Sequence, residues 1–246
     1  MFFRTPPRIL VAGPSGSGKT VFVSKLLREP HRYFRHLPSD RIHYCYGVWQ
    51  PLFDTLQQQG VHFHRGIPDL SDLATWFVKT KTRSPGGLLI MDDLMDEGSN
   101  DKRVLDLFTR DSHHRNITVV YLIQDLFPPG KYAKTISRNA HYIVAFKNPR
   151  DQTGINILLQ QMFPLHWRHA LEVYNKATSR PFGYLMLDLH PAADDQYRLY
   201  TNLLQDEGYT HTYRRRTDEP TDIPTAFAER TRTSTTTKGR RSTHRS

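Results

Sequence analysis

The sequence predicts an α/β fold, with a mostly parallel central sheet covered by helices on both faces. Three observations carry that expectation. Short apolar runs near residues 8–12, 42–47, 87–93, 117–124 and 140–147 alternate with stretches of helical spacing, as parallel strands joined by crossover helices do. Residues 13–20 place three glycines, a lysine and a threonine directly between the first strand and the first helix. The run Gly87-Leu88-Leu89-Ile90-Met91 ends in two carboxylates, Asp92 and Asp93.

Arg8-Ile9-Leu10-Val11-Ala12 is short, apolar and β-branched, and reads as a buried strand. Residues 19–28 follow as a helix, with Val21, Lys25 and neighbouring apolar residues at helical spacing. A loop with Pro30 and Pro38 leads to a second strand at 41–47, ended by Gly47. Residues 49–59 read as a short helix with Leu52 and Leu56 facing inward, and 61–64 as a short alternating strand. Leu70, Leu73, Ala74, Phe77 and Val78 give a second full helix over 70–79, and Ser84-Pro85-Gly86 breaks the chain before the acid-tipped strand.

Residues 95–100 read as a polar loop. A helix is expected over 102–111, with Val104, Leu105, Leu107 and Phe108 on its apolar side, then a basic turn at 113–116. Ile117 to Ile123 is the clearest strand and ends at Gln124-Asp125. Pro128-Pro129-Gly130 turns the chain into a short helix at 131–139 and a strand at 140–146. Helices at 152–162 and 165–178, then strands at 182–189 and 197–200, close the domain. The expected division is a domain over 1–213 and a basic, disordered tail over 214–246, where apolar residues nearly vanish.

Gly13, Pro14, Ser15, Gly16, Ser17, Gly18, Lys19 and Thr20 spell G-x-x-x-x-G-K-T, the phosphate-binding loop signature. Backbone N–H groups at a helix N-terminus form an anion nest, and the helix dipole adds positive potential there. Glycines let the backbone approach phosphate oxygens; the lysine reaches the β- and γ-phosphates and the threonine ligates Mg2+. A Gly/Ser turn with an incidental lysine is the simpler alternative, and the flanking strand and helix speak against it. Asp92, at the carboxyl end of a buried strand where open α/β sheets bind ligands, is placed to complete the Mg2+ shell, and Asp93 to orient and activate water. Gln124, on the tip of a further strand, is a candidate to sense the γ-phosphate or to position water, or a plain strand-end glutamine.

The chain carries 34 Lys and Arg against 24 Asp and Glu, a formal charge of +10 over 246 residues. Nine basic and four acidic residues fall in 214–246. Such a balance suggests a polyanion partner, nucleic acid first; solubility alone is the bland reading. The single cysteine, Cys45, excludes a disulfide scaffold and a cysteine zinc site, and suits a reducing compartment. No apolar run of 18 residues and no signal peptide is present, so the expectation is a soluble intracellular protein with no membrane partner. The thirteen histidines include no helical H-x-x-x-H with an intervening acid.

With these residues in place, the chain resembles the FtsK/HerA superfamily of P-loop ATPases: the loop at 13–20, the paired acids after Leu88–Met91 and the strand ending in Gln124. More narrowly it resembles the genome-packaging ATPases of large DNA viruses and of Polinton and adintovirus-like elements. The narrower likeness rests on the phrases at 44–52, 115–117 and 137–143. The resemblance implies the additional-strand, RecA-like branch of P-loop NTPases and an ATPase using ATP and Mg2+. It also implies a homo-oligomeric ring that drives double-stranded DNA into a capsid, with a capsid protein as a further partner, at an assembly site in host nucleus or cytoplasm or in the virion. It carries Gln124 over as the sensor. Asp93 departs from the glutamate common in the superfamily, leaving Glu97 as a distant fallback for the base. Arg115 stands where an arginine finger acting on a neighbouring subunit is expected, with Arg110 and Arg138 as rivals. The competing functions are a helicase-like motor of the same superfamily, a nucleotide or small-molecule kinase, and a non-hydrolysing nucleotide-switched DNA-binding protein.

Overall fold

Among the described residues, nine strands form one sheet in the order β3-β2-β4-β5-β1-β6-β7-β8-β9. The computed structural model describes residues 3, 4, 6–34, 37–77 and 86–214. The expected break at Ser84-Pro85, residues 78 and 79 of the expected third helix, and the tail from residue 215 lie outside them. The strands are β1 (Arg8–Ala12), β2 (Ile42–Tyr46), β3 (His62–Arg65), β4 (Gly87–Asp92), β5 (Ile117–Ile123), β6 (Tyr142–Phe146), β7 (Tyr184–Asp188), β8 (Leu199–Thr201) and β9 (His211–Tyr213). The first six are mutually parallel, and β7, β8 and β9 extend the sheet antiparallel from β6.

The helices are α1 (Lys19–Arg28), α2 (Leu52–Gln58), α3 (Leu70–Trp76), α4 (Met95–Gly98), α5 (Lys102–Asp106), α6 (Ser112–Arg115), α7 (Ala133–Arg138), α8 (Gln152–Met162) and α9 (Trp167–Ala177). The central strands are buried along their whole length, which is why they read as unbroken apolar runs. Side-chain alternation deals their residues to two cores. Leu10, Leu89, Met91, Val119, Tyr121 and Ile143 pack on one face with residues of α5, α7, α8 and α9. Ile9, Val11, Leu88, Ile90, Val120 and Val144 pack on the other with residues of α1 and α2.

The order of strands places β5 between β1 and β4. The strand inserted between the phosphate loop and the acidic tip is therefore β5, the one that Gln124 directly follows. It is not β2, which intervenes in sequence but pairs with the far side of β4.

Several local expectations are corrected. Residues 95–98 form a helical turn, α4, rather than loop. The single helix expected over 102–111 is α5 followed by a π-helical stretch, Leu107–Asp111. That wider turn brings Leu107, Phe108 and Asp111 inward together after Val104. His113, His114 and Arg115 belong to the last turn of α6, and the reversal comes one residue later at Asn116, with φ 55°. The helix at 49–59 begins only at Leu52, after Pro51. In α1 the inward face is Phe22, Val23, Leu26 and Leu27, while Val21 is 51% exposed. β9 was not expected, because two of its three residues are exposed and polar.

Leu89 is fully buried at the centre of β4. Leu89→Ala is expected to cost about 3 kcal/mol of folding free energy, read as a lower midpoint in urea unfolding with an unchanged slope.

Candidate nucleotide site

Everything that the sequence placed in the phosphate and metal roles meets at the carboxyl edge of β1, β4 and β5. α1 begins at Lys19 directly after a loop in which Gly16 and Gly18 take φ values of 75° and 102°. The first helical amide to bond backward is that of Phe22, to the Gly18 carbonyl at 2.8 Å. The amides of Gly18, Lys19 and Thr20 have no backbone acceptor among the described residues, as the first turn of a helix dictates. The first turn holds no acidic side chain, and Lys25 and Arg28 sit in the last, so the dipole and the side chains both favour an anion at the N-terminus. The Ser17 hydroxyl is buried inside the loop with no hydrogen-bond partner among the described residues.

Lys19 folds into this loop. Its ammonium donates to the Gly13 carbonyl at 2.6 Å and the Pro14 carbonyl at 3.0 Å, leaving one of its three protons for an anion. Burial lowers its pKa, opposed by the negative charges of Asp92, Asp93 and Asp125.

Asp92 is the hub. Its Oδ2 accepts from Thr20 Oγ1 at 2.9 Å and from the phenol of Tyr44 at 2.7 Å. The register of β2 against β4 makes the second contact possible, since it pairs Tyr44 with Ile90 and Tyr46 with Asp92. Burial raises the Asp92 pKa, against the opposing effects of the Tyr44 and Thr20 hydrogen bonds and of Lys19. Burial and the Asp92 charge push the Tyr44 phenol well above its ordinary value, so it stays a donor. Tyr44 lies in the strand at 41–47 and in the phrase at 44–52, but the sequence alone gives it no place at the site.

Asp93 is exposed and left-handed, with φ 57°. Beside it lies Gly47, directly after β2, whose N–H donates to the Asp92 carbonyl at 3.1 Å and whose missing side chain makes room for the Asp93 carbonyl. Gln124 follows β5, and its N–H donates to the Met95 sulfur at 3.2 Å. A cleft of about 470 Å³ joins these groups; Ser15, Lys19, Thr20, Asp92, Asp93 and Gln124 line it, together with Val48, Gln50 and Phe182. Val48 and Gln50 lie in the phrase at 44–52, which assigns them no role, and Phe182 opens the strand expected at 182–189, although the Pro181-Phe182-Gly183 punctuation marks a turn there. Glu97 does not line the cleft.

The arginines lie elsewhere. Arg115 precedes β5, whose opposite end carries Gln124, so a seven-residue strand, about 20 Å long, separates it from the site of its own chain. Arg138 precedes β6 on the same far edge, beside an apolar cavity of about 670 Å³. Arg110 is engaged by Asp111 at 3.1 Å and Asp106 at 3.5 Å.

A glycine-rich loop at a helix N-terminus, an acid tip bonded to the loop threonine, and a third strand between them define a P-loop ATPase on a mostly parallel α/β sheet. Residues 2–144 match the family described as Poxvirus A32 protein, and the chain belongs to that family. No curated protein sequence matches the chain significantly. Among solved structures, the chain is similar to the genome packaging NTPase B204 from Sulfolobus turreted icosahedral virus 2. With sulfate bound, the identity is 13% over 85% of this chain and 96% of that one, at a TM-score of 0.46. For its complex with ATP-gammaS the figures are 12%, 81% and 98%, at 0.45. The flagellar accessory protein FlaH from Methanocaldococcus jannaschii is similar at 15% identity over 57% of this chain and 70% of that one, at 0.38.

The raised Asp92 pKa has a sign that can be tested. The folded state holds that proton more tightly than the unfolded state, a stabilisation complete below the ordinary aspartate range and lost as pH rises through the folded value. At neutral pH the buried charge is therefore a net cost. Asp92→Asn is expected to raise the thermal unfolding midpoint at pH 7 in chelator, with the gain shrinking toward pH 3. A lower midpoint at pH 7 would show that the Thr20 and Tyr44 hydrogen bonds outweigh burial.

Proposed function

We propose that this chain is an ATP-hydrolysing motor that moves double-stranded DNA into a viral capsid and works as a homo-oligomeric ring. The observation that carries the hydrolytic part is the convergence of Thr20 and Tyr44 on one oxygen of Asp92, at the floor of the cleft entered by Lys19. Membership of the Poxvirus A32 protein family supports the packaging part, and the formal charge of +10 suits a DNA partner.

The loop from Gly13 to Thr20 is read as the phosphate cradle, with its free amides and Lys19 meeting the β- and γ-phosphates. The residues also fit Mg2+. Asp92 spends Oδ2 on two hydroxyl donors, which leaves Oδ1 for a hard cation that prefers oxygen. Thr20 and Asp92 are the proposed holders, and the ion would supply charge neutralisation at the transferred phosphoryl group. Asp93 faces the same cleft from an exposed, fixed backbone and is assigned to orienting water. Gln124, at the tip of the inserted strand, is assigned to sensing the γ-phosphate. Phosphoryl transfer needs positioning and charge stabilisation rather than covalent help, and these side chains supply the first.

Arg115 is proposed as the finger acting in trans. It lies on the far edge of its own sheet, and no described residue engages it, whereas Arg110 is held by two carboxylates. Residues 1–213 are assigned to the ATPase domain, and the basic stretch 214–246 to added DNA affinity.

Lys19→Ala is expected to abolish hydrolysis. In the wild type, the rate per chain should rise with protein concentration and with added double-stranded DNA; a rate flat in both would sink the motor. Arg115→Ala mixed with wild type should depress activity by more than its share of the mixture. Tyr44→Phe should raise the Mg2+ concentration needed for half-maximal hydrolysis about 10- to 100-fold, the usual effect of losing an outer-shell partner.

A further inference from the structure

Phe182 carries an observation that the phosphate site leaves unexplained. It is a large apolar side chain, 69% exposed, on the wall of the cleft. Its backbone is left-handed at φ 59°, a region that sets a side chain against its own carbonyl and that bulky residues avoid. No other ring of the described residues stacks on it, although Phe22, Phe146 and Tyr184 form an aromatic group close by.

The chain around Phe182 holds it in this costly position. The Gly183 N–H donates to the Arg180 carbonyl at 3.1 Å. A Cβ on Gly183 would meet that carbonyl oxygen at 3.0 Å and the Ala177 carbonyl oxygen at 2.5 Å, so the turn after α9 closes too tightly for another residue. Arg180 donates to the Asn202 side chain, tying the turn to the segment after β8. The result is a ring fixed over the start of α1, with Cδ1 at 3.0 Å from where a Cβ on Gly18 would stand. Val21, 51% exposed, is the next apolar side chain of the same cleft along α1. Strained, exposed and over-determined residues of this kind mark ligand contacts.

We propose that Phe182 is the platform on which the purine base of the bound nucleoside triphosphate stacks, with Val21 as its apolar neighbour. This rests on the ATP-binding reading and adds to it the part of the nucleotide that the loop does not touch. A bare aromatic face offers area and no hydrogen-bonding edge, so it holds adenine and guanine alike.

The test is calorimetric binding of ATPγS, GTPγS and inorganic tripolyphosphate to the full chain. Phe182→Ala is expected to weaken both nucleotides about 10-fold or more and to leave tripolyphosphate unchanged. Phe182→Trp is expected to keep nucleotide affinity and to show indole fluorescence quenched by nucleotide but not by tripolyphosphate. Unchanged nucleotide affinity in Phe182→Ala would overturn the platform while leaving the ATP-binding reading intact, and so would an equal loss of tripolyphosphate, which would make Phe182 a support of the loop. Wild-type chain that binds neither nucleotide nor tripolyphosphate would overturn the ATP-binding reading and the platform with it.

Discussion

One carboxylate oxygen organises the site. Oδ2 of Asp92 receives the hydroxyl of Thr20 from α1 and the phenol of Tyr44 from β2, so three elements that are distant in sequence meet at one atom. A buried carboxylate is expensive unless it is hydrogen-bonded, and here the bonds come from the first turn of α1 and from the strand beside the acid tip. The position of Thr20 is thereby fixed to the sheet as well as to its own helix. Lys19, one residue earlier, inherits that placement and feels the same negative charge.

The sheet was largely legible because burial on both faces writes itself as unbroken apolar runs. β1, β4, β5 and β6 fall within the runs that the sequence marks, and α8 spans the expected residues. What the sequence could not show is phase and register. The loop geometry sets the phase of α1, turning Val21 outward and Phe22 inward. The register between β2 and β4 decides that Tyr44 reaches Asp92, and nothing local to either residue says so. The π-helical stretch after α5 is a one-residue widening that apolar spacing does not resolve.

The site was legible in a different measure. The loop and the acid tip are short motifs, and their contiguity made them readable; the structure brings Lys19, Thr20, Asp92, Asp93 and Gln124 to one cleft. Phe182 was hidden inside an expected strand that begins only at Tyr184. Its left-handed backbone is a property of the turn it closes rather than of its residue type. Arg115 was readable as a residue but not as a place, because only the direction of β5 tells which edge it occupies.

β5 has a mechanical meaning of its own. All seven of its residues are buried, and it is hydrogen-bonded to β1 on one side and β4 on the other, so it is held along its whole length. One end carries the glutamine that meets the cleft and the other follows the arginine on the far edge. A load on either end is therefore shared with both neighbouring strands, and β5 is the tie that joins the cleft edge of the sheet to its far edge.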